Sequence, residues 1–370
     1  MSTQQSVAVI GGGIIGVSTA SHLARSGTAV TLVTEGELAS NASGRSLSWL
    51  NSAGAYSADY HRLRLVGIDR YRTLSAQHPE LDWLRFDGGL TWEPEGQEEV
   101  LRQRHERQLS LGYDSILLTP DEVADRLPGV DAETIPSTGA VLNPGEGWVD
   151  LPSLIDHLVK DLLDQGGEVM TGTGPADVHL EHGRVAEVRT ARGDRLPVDA
   201  ALLATGPSVP RAAAAFGVII PDATPLALLV RTTPVDTPLR VVLNTPRVAL
   251  RPGTGRSLAV DADWATSSIV TTPDGYSVPP EIVDELLTEA SKVLAGHPRL
   301  TAASIGIGTK PIPGDGEPVL GQLGDIPGLY AAFTHSGATL GLIAGELLAA
   351  EIRTGQPHPL LASFTAQRFA

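Results

Sequence analysis

Three glycines near the N-terminus have the spacing of a turn that binds phosphate groups. Gly11, Gly13 and Gly16 follow the apolar segment 6–10, and an alanine-rich segment comes directly after them. In a strand–turn–helix unit, the first glycine allows the tight turn, the second lets a pyrophosphate approach the backbone, and the third packs the helix on the strand. The helix N-terminus adds unpaired N–H groups and the positive end of its dipole. The sequence therefore predicts a dinucleotide site formed by these glycines and the first helical residues, Ile14 and Ile15.

The ribose of such a dinucleotide is usually bound by an acidic residue at the end of the second strand. The second predicted strand covers residues 29–34, so Thr34 occupies its tip and Glu35 follows one position later. We expect these two residues to hold the ribose, either because Glu35 turns toward it or because Thr34 binds it together with water. The displaced acid does not by itself tell which dinucleotide is bound.

The elements that must position this turn alternate between strand and helix. Apolar periodicity predicts further helices over about 57–78, 151–162, 280–294 and 338–352. Short apolar runs predict strands over about 83–92, 198–205 and 328–333, and a stretch rich in strand, Pro and Gly residues over 227–260. The predicted fold class is α/β, with a Rossmann-type cofactor-binding domain and an interleaved mixed β-sheet domain for the substrate.

The length of the chain favours two domains. With 370 residues and 42% hydrophobic content, it is longer than one compact core usually supports. The predicted cofactor domain is discontinuous and covers 1–82, 148–210 and 303–370. The predicted substrate domain covers 83–147 and 211–302.

Composition excludes several classes of function. The net charge of −16 opposes binding to nucleic acid or to an anionic membrane surface. The chain has no cysteine, which excludes disulfides, thiolate metal sites and a cysteine nucleophile. The ten histidines are scattered, so no metal site is predicted. Because the N-terminus has no basic export region and no apolar run is long enough for a membrane span, we expect a cytoplasmic protein.

Four separated segments form a more specific pattern than the glycine turn alone. They are VAVIGGGIIGVSTASHLARSG at 7–27, ASNASGRSLSW at 39–49, ALLATGPS at 201–208, and GTKPIPGDGEPVLG with GLYAAFTHSGATLG within 308–341. Together they resemble the D-amino-acid oxidase superfamily, which contains glycine oxidase, sarcosine oxidase and D-amino-acid dehydrogenases. The segment SGRS at 43–46 most resembles D-arginine-type dehydrogenases. The resemblance implies FAD as the cofactor, and we expect non-covalent binding because the chain lacks cysteine and the serine-rich loop lacks histidine.

The matching segments supply the predicted FAD contacts beyond the glycine turn. Hydroxyl groups, backbone N–H groups and a guanidinium in the loop 43–46 suit pyrophosphate or flavin carbonyl oxygens. Small residues at 204–206 let the backbone run close to the cofactor. In the family, the start of the last helix points at the flavin N1–C2=O edge, where its dipole stabilises the anionic reduced flavin. The predicted contacts are Ser43, Gly44, Arg45, Ser46, Val178, Ala204, Thr205, Gly206, Gly337, Ala338, Thr339 and Leu340.

The resemblance also implies the chemistry. A hydride leaves the substrate α-carbon for flavin N5 and an imine forms, which requires the substrate amine to be neutral. Relatives that oxidise amino acids hold the substrate carboxylate with an arginine where this chain has Lys310. Lysine keeps the positive charge but lacks the bidentate guanidinium. Arg247 and Arg251 are candidates either for a second cation or for structural roles.

Three further residues complete the set of predicted catalytic residues with Lys310. Trp49 and Tyr56 lie on the segment that covers the active site in similar dehydrogenases, where an aromatic side chain shields the flavin from water, although Trp49 could equally be a core residue. His335 precedes the last glycine turn and could contact the flavin or the substrate, or cap the helix. His61 is predicted to lie on a helix surface.

The sequence thus predicts FAD-dependent oxidation of a small amine or amino acid, with oxygen or another acceptor taking up the electrons. Oxidation of a 2-hydroxy acid uses the same hydride chemistry and is an alternative. A flavin-binding scaffold without turnover is a second alternative, because Lys310 and Glu35 depart from the family pattern. A flavin monooxygenase shares the glycine turn, but the acidic GD signature of that class is not found in mid-chain.

Overall fold

The computed structural model describes residues 5–273 and 275–370; residues 1–4, at the start of the predicted cofactor domain, and Asp274 lie outside it. The helices are α1 (Ile14–Arg25), α2 (Ala58–Gln77), α3 (Glu98–Ser110), α4 (Pro120–Arg126), α5 (Leu151–Asp164), α6 (Val209–Ala214), α7 (Asp263–Thr266), α8 (Pro280–Lys292) and α9 (Gly337–Thr354). None of the helices in these described ranges is long and apolar enough to cross a membrane.

The strands are short and occur along the whole chain. In order they are β1 (Ser6–Ile10), β2 (Ala29–Val33), β3 (Trp49–Leu50), β4 (Leu84–Arg85), β5 (Gly89–Thr91), β6 (Ile116–Leu118), β7 (Ala140–Asn143), β8 (Gly147–Val149), β9 (Glu168–Met170), β10 (Ala176–Glu181), β11 (Arg184–Thr190), β12 (Arg195–Pro197), β13 (Ala200–Leu203), β14 (Leu226–Thr232), β15 (Val242–Asn244), β16 (Ala249–Pro252), β17 (Leu258–Asp261), β18 (Val270–Thr272), β19 (Gly275–Ser277), β20 (Ala302–Thr309), β21 (Val319–Gln322) and β22 (Leu329–Phe333).

A six-stranded sheet carries the glycine turn. Its order is β21–β22–β13–β1–β2–β9, and every pairing is parallel except that of β21 with β22. Successive residues of β1 face opposite sides: Val7 and Val9 pack in the cluster that contains α1, α5 and α9, whereas Ala8 and Ile10 pack on the other face. This sheet confirms the predicted Rossmann-type domain.

An eight-stranded sheet forms the second layer of the fold. Its order is β20–β14–β17–β16–β15–β5–β7–β6, with a parallel pairing between β15 and β5 and antiparallel pairings elsewhere. Its strands come from both sides of β13 in the sequence, which confirms the predicted interleaved mixed sheet. Strand β20 belongs to this sheet, so the pairing favours a domain boundary after Thr309 over the predicted boundary at 303.

The predicted strand over 83–92 is wrong, since two strands of different sheets occupy it. Strand β4 pairs with β8 in a small sheet of order β3–β8–β4, whereas β5 pairs with β7 and β15 in the large sheet. Gly88, with φ of 99°, lies between them and turns the chain. The predicted helices over 57–78, 151–162, 280–294 and 338–352 are confirmed as α2, α5, α8 and α9.

Helix α9 approaches α1 at contact distance because glycines replace side chains between them. A Cβ atom at Gly345 would lie 2.1 Å from Ser18 Oγ, and one at Gly341 would lie 2.6 Å from Ile14 Cγ1. On the other side of α9, a Cβ atom at Gly67 of α2 would lie 2.4 Å from Thr339 O. The first turns of α1 and α9 are therefore neighbours.

Glu146, between β7 and β8, joins the small sheet to the large one. Its carboxyl group is fully buried and accepts hydrogen bonds from Trp49 Nε1 at 2.8 Å and from the Tyr113 hydroxyl at 2.6 Å. A Cβ atom at Gly89 would lie 2.2 Å from Glu146 Oε2, so β5 makes room for the carboxyl group only because glycine occupies this position. Burial raises the pKa of Glu146 to about 8, although both hydrogen bonds act in the opposite direction.

The stability of the protein should therefore depend on the protonation of Glu146. Its folded-state pKa lies above that of an unfolded glutamate, so this contribution is complete below about pH 4.5 and is lost as the pH rises through about 8. In Glu146→Gln, the amide can accept from Trp49 and donate to the Tyr113 oxygen without ionising. We expect the Tm of this variant, relative to the wild type, to increase steadily between pH 5 and pH 9 in thermal melts.

The exposed substitution Glu99→Gln is the matched control, and its Tm should follow that of the wild type over the same range. A constant difference between Glu146→Gln and the wild type at every pH would contradict the assigned protonation state.

Candidate active site

The glycine turn leaves no room for a side chain at two of its positions, Gly11 and Gly16. Gly11 has φ of 129°, and a Cβ atom there would lie 2.2 Å from Ala204 O at the end of β13. A Cβ atom at Gly16 would lie 2.1 Å from Gly11 O. The turn, the end of β13 and the start of α1 are thus in direct backbone contact, as the spacing predicts.

The serine-rich loop comes to this helix terminus. It forms a short 3₁₀ helix over Ala42–Arg45, and Ile14 N donates to Ser43 Oγ at 3.1 Å. Gly44 packs on the backbone, since a Cβ atom there would lie 2.3 Å from Ala39 O. Ser46 Oγ accepts a hydrogen bond from Ser48 N at 3.0 Å.

Arg45 connects the same loop to the large sheet. Its guanidinium donates to Ile307 O on β20 at 2.8 Å. The side chain runs along two glycines of that strand, so that Cβ atoms at Gly306 and Gly308 would lie 3.1 and 3.0 Å from it. Lys310 follows Gly308 by two residues. The lysine that is predicted to bind the substrate carboxylate therefore lies close to the serine-rich segment 39–49, which is called the cofactor loop below.

The predicted ribose site lies at the end of β2. Thr34 is buried and its carbonyl accepts from Thr173 N at 3.2 Å and Thr173 Oγ1 at 3.1 Å. Glu35 is exposed, and its carbonyl accepts from Gly174 N at 3.1 Å. The Glu35 carboxylate is therefore on the surface beside the strand tip, bordered by residues 172–174.

Val178 is not among the residues that gather around the turn. It lies on β10 opposite Val188 and packs in the cluster of Ala8 and Ile10, on the face of the six-stranded sheet away from α1. The segment that reaches the tip of β2 is 172–174, four to six residues earlier in the chain. Strand alternation directs the Val178 side chain into the core, which leaves only its backbone for the predicted contact with the cofactor.

The residues at the end of β13 carry a feature that points to a ligand. Thr205 Oγ1 is buried and has no hydrogen-bond partner among the described residues. Gly206, with φ of 57°, begins a short 3₁₀ helix over Gly206–Ser208. Buried hydroxyl groups are normally hydrogen-bonded, so a polar ligand atom would complete this site. Together with the glycine cradle, this open hydroxyl fits a bound dinucleotide.

The start of α9 is supported by a buried arginine that was not predicted from the sequence. Arg64 of α2 is buried, donates to Ser336 Oγ, and donates from Nε to Asn51 O at 3.0 Å. No carboxylate pairs with Arg64 within the described part of the chain. Its position between the apolar residues Leu63 and Gly67 of an amphipathic helix was the available signal. A buried cation beside the positive end of α9 favours an anionic group there.

Of the two predicted aromatic residues, Tyr56 packs directly on this arginine and Trp49 lies against the start of α9. The Arg64 guanidinium is 4.2 Å from the Tyr56 ring centre, and the Tyr56 ring is 4.9 Å from that of Tyr60. Burial raises the pKa of Tyr56, so its hydroxyl stays neutral. The Trp49 carbonyl accepts from Thr339 Oγ1 at 3.3 Å, which holds the tryptophan backbone against the first turn of α9.

The other predicted FAD contacts lie in the first turn of α9. A Cβ atom at Gly337 would lie 3.7 Å from Ile14 Cγ2, an ordinary contact distance. The Ala338 carbonyl accepts from the Tyr71 hydroxyl at 2.6 Å, and Leu340 is buried in the core. The N-cap residue, Ser336, makes no side-chain cap hydrogen bond, so the first amide groups of α9 remain open to a ligand.

Lys310 lies beside two aspartates that were not predicted as site residues. Its Nζ is 3.8 Å from Asp261 Oδ2 and 4.0 Å from Asp263 Oδ1. Burial raises the pKa of Asp261, Lys310 opposes this change, and Asp263 adds to it. The signal in the sequence was weak: two acids, spaced by one residue, at the end of a strand in the predicted substrate domain.

His335 belongs to the same region. Part of its side chain is exposed, but the surrounding protein removes water from much of the imidazole. This desolvation, followed by repulsion from Lys310 and Arg64, lowers the pKa of His335 to about 4. The imidazole is therefore neutral near pH 7. It can accept and donate hydrogen bonds, but it does not add a positive charge.

Three other predicted roles are resolved by the structure. The prediction that His61 lies on the surface is wrong: it is buried, with Nδ1 2.8 Å from Ser52 Oγ. Arg247 forms a surface ion pair with Glu285 at 2.7 Å. Arg251 is fully buried and its Nε donates to Leu47 O of the cofactor loop, which is a structural role.

Groups of three or more His, Asp or Glu side chains suited to a metal ion are absent from the described residues.

Comparison with known proteins agrees with this site. The family model described as FAD dependent oxidoreductase (DAO) matches residues 6–351. The A1 polypeptide of the anaerobic glycerol-3-phosphate dehydrogenase of Haloferax volcanii is 31% identical over 211 residues, which are 51% of this chain and only 35% of that polypeptide. One of the subunits of the opine oxidase of Agrobacterium tumefaciens is 23% identical over 375 residues, which cover 98% of this chain and 96% of that protein.

The fold is also similar to those of solved structures. The crystal structure of glycine oxidase from Bacillus cereus superposes with a TM-score of 0.84 at 24% identity, covering 97% of this chain and 98% of that chain. The family match spans nearly the whole chain and includes the glycine turn, the serine-rich loop and the start of α9. The chain therefore belongs to the DAO family and is an FAD-dependent oxidoreductase.

Proposed function

We propose that the protein oxidises the C–N bond of a small amine or amino acid to an imine. The observation that carries this proposal is the position of Lys310: it directly follows the strand whose backbone binds Arg45 of the cofactor loop, so it would bring a cation to the cofactor from the substrate sheet. A lysine at this place suits the carboxylate of an amino acid.

Different groups of the described residues would hold different parts of FAD, which supplies the hydride acceptor when bound. The first turn of α1 and Ser43 would hold the pyrophosphate, and Thr34 with Glu35 would hold the ribose. Thr205 offers a buried hydroxyl. The start of α9, with the Arg64 cation behind it, would stabilise negative charge on the flavin.

The remaining side chains would prepare the substrate. Lys310 binds the carboxylate, and the neutral imidazole of His335 offers a hydrogen bond without attracting a second anion. Tyr56 and Trp49, held by Arg64 and Glu146, would limit the access of water. This arrangement orients the substrate and needs no protein nucleophile.

Oxidation of a 2-hydroxy acid is the second candidate. It is favoured by the 31% identity to part of an enzyme named for glycerol-3-phosphate, an alcohol. Lys310 would bind the carboxylate of either substrate class, so this residue does not separate them. The third candidate, a flavin-binding scaffold, predicts that no compound reduces the bound flavin.

An anaerobic absorption titration of the yellow protein tests the proposed function. D-amino acids, N-methyl amino acids, simple amines and 2-hydroxy acids are added in turn, and we expect amines or amino acids to bleach the flavin band near 450 nm, roughly where flavin cofactors absorb. Readmission of air then shows whether oxygen accepts the electrons. Bleaching by 2-hydroxy acids alone, or by no compound, would overturn the proposal.

Gly13→Ala should weaken FAD binding without disturbing the fold. Gly13 has φ of −85°, which alanine tolerates, and the new Cβ atom would lie 3.3 Å from Ser43 Oγ, which can move slightly. The methyl group would occupy space that the pyrophosphate needs, so we expect FAD affinity to fall about tenfold or more. FAD content after purification and fluorescence titration measure this loss. Circular dichroism should be unchanged, and full FAD content would contradict the assigned site.

Lys310→Met should raise KM for substrates that carry a carboxylate. Loss of a charge-assisted contact costs about 1.5–3 kcal/mol, so we expect KM to increase by roughly 10- to 100-fold. Lys310→Arg should retain most of the affinity. Steady-state kinetics with an amino acid and with the matching simple amine test this, since the amine should be unaffected. Lys292→Met, an exposed change on α8, is the control; an equal loss with both substrates would exclude carboxylate binding by Lys310.

A further inference from the structure

We propose that Asp261 binds the ammonium group of an amino-acid substrate whose carboxylate is bound by Lys310, and that Asp261 accepts the ammonium proton before oxidation. This inference rests on the proposed function and deepens it, because it assigns the recognition of a zwitterion and the proton acceptor to named residues.

The sheet topology places the two residues at one edge. Strands β17 and β20 lie on either side of β14 and are both antiparallel to it, so β17 and β20 run in the same direction. Asp261 is the last residue of β17, and Lys310 directly follows the last residue of β20. The Asp261 Oδ2 to Lys310 Nζ distance is 3.8 Å. Two opposite charges therefore face the same space.

The contacts of Asp261 are incomplete. Its distance from Lys310 is too long for a hydrogen bond, and within residues 5–273 and 275–370 no donor is bonded to its carboxylate. The side chain is 19% exposed, so water reaches the carboxylate only from one side. A carboxylate that is largely removed from solvent and has few hydrogen-bond donors is costly. An ammonium group would supply both the opposite charge and the donors.

The charged groups that act on Asp261 are Lys310 and Asp263, and His335 lies under the influence of the same two residues. Burial raises the pKa of Asp261, which makes it a stronger proton acceptor than an ordinary aspartate. The pKa of His335 is lowered to about 4, which makes it a weaker one. Asp263 is fully exposed and less able to hold a substrate group.

The proton step is balanced without another reactant. One N–H bond of the substrate ammonium breaks and one O–H bond forms on Asp261, so an ammonium–carboxylate pair becomes a neutral amine and a carboxylic acid. The amine then has the lone pair that hydride loss from the neighbouring carbon requires. No electron is transferred in this step. The exposed part of the side chain lets Asp261 return the proton to water.

The test uses the holoenzyme and the amino acid that bleaches the wild-type flavin best. Rates of anaerobic reduction are measured from pH 6 to pH 10 for the wild type and Asp261→Asn. We expect Asp261→Asn to lose at least about tenfold in kcat/KM at pH 7, within the usual range for an acid–base group. The deficit should close above the pKa of the substrate amine, because the substrate then arrives already neutral.

Asp263→Asn is the matched control, because Asp263 is also 4.0 Å from Lys310 but exposed, and its pH profile should stay within about twofold of the wild type. Asp261→Glu keeps a carboxylate and should retain the wild-type shape of the profile. A second readout does not depend on turnover: binding of acetate, detected by perturbation of the flavin spectrum, should be as tight or tighter in Asp261→Asn, because a neighbouring negative charge is removed.

The outcomes separate this inference from the proposed function. If amino acids bleach the wild type and Asp261→Asn has no deficit, or the same deficit at every pH, the role of Asp261 is overturned and the proposed function stands. If FAD content falls in Asp261→Asn, the profile of Asp261→Glu decides instead, and a flat loss there overturns the role. If only 2-hydroxy acids bleach the wild type, the proposed function and this inference fail together.

Discussion

The close approach of α1 to its neighbours is the constraint on which the rest of the site depends. Gly16 lets the helix press on the backbone of Gly11, and Gly341 and Gly345 of α9 let a second helix cross it at contact distance. A methyl group at any of these positions would overlap an existing atom. Because both helices begin at the same end of the crossing, their N-termini become neighbours, and neither N-cap side chain bonds to the first amide groups of its helix. In the proposed function, the two helix starts would hold two electron-rich parts of FAD.

The second level of organisation is the attachment of the cofactor loop to the large sheet. Arg45 and Arg251 do this through the main-chain acceptors Ile307 O and Leu47 O, and Arg251 also lies 3.9 Å from the Asp150 carboxylate. Asp150 contributes from the other direction: it caps α5 through Ser153 N and accepts from Arg231 of β14 at 3.0 Å. These contacts fix the distance between the cofactor loop and the end of β20. Lys310, directly after β20, is therefore positioned by contacts made several residues away.

The charges near the start of α9 and the end of β20 follow from this arrangement. Arg64 is buried without a carboxylate partner among the described residues, beside the start of α9, where negative charge would be stabilised. Lys310 and Asp261 face each other at a distance that leaves both available to a ligand, while His335 is held neutral by its surroundings. The Glu146 carboxyl group, which holds Trp49, is also neutral near pH 7 because it is fully buried.

The sequence by itself determined the features that depend on short-range spacing. Gly11, Gly13 and Gly16 act through the local geometry of one turn, and the apolar periods of α2, α5, α8 and α9 reflect one buried face each, so these elements were predictable. The family pattern also singled out Ser43, Lys310 and the start of α9, whose roles at the site stay predictions. Only the tertiary structure decided the rest. The two strands within 83–92 belong to different sheets, and Val178 points into a core that other strands create. Asp261 and Arg64 make their contacts with residues far away in the chain, and His61 is buried by Tyr113 rather than by its own helix. Burial and pKa depend on what packs around a group in space, and one sequence read along its length does not contain that information in any local pattern.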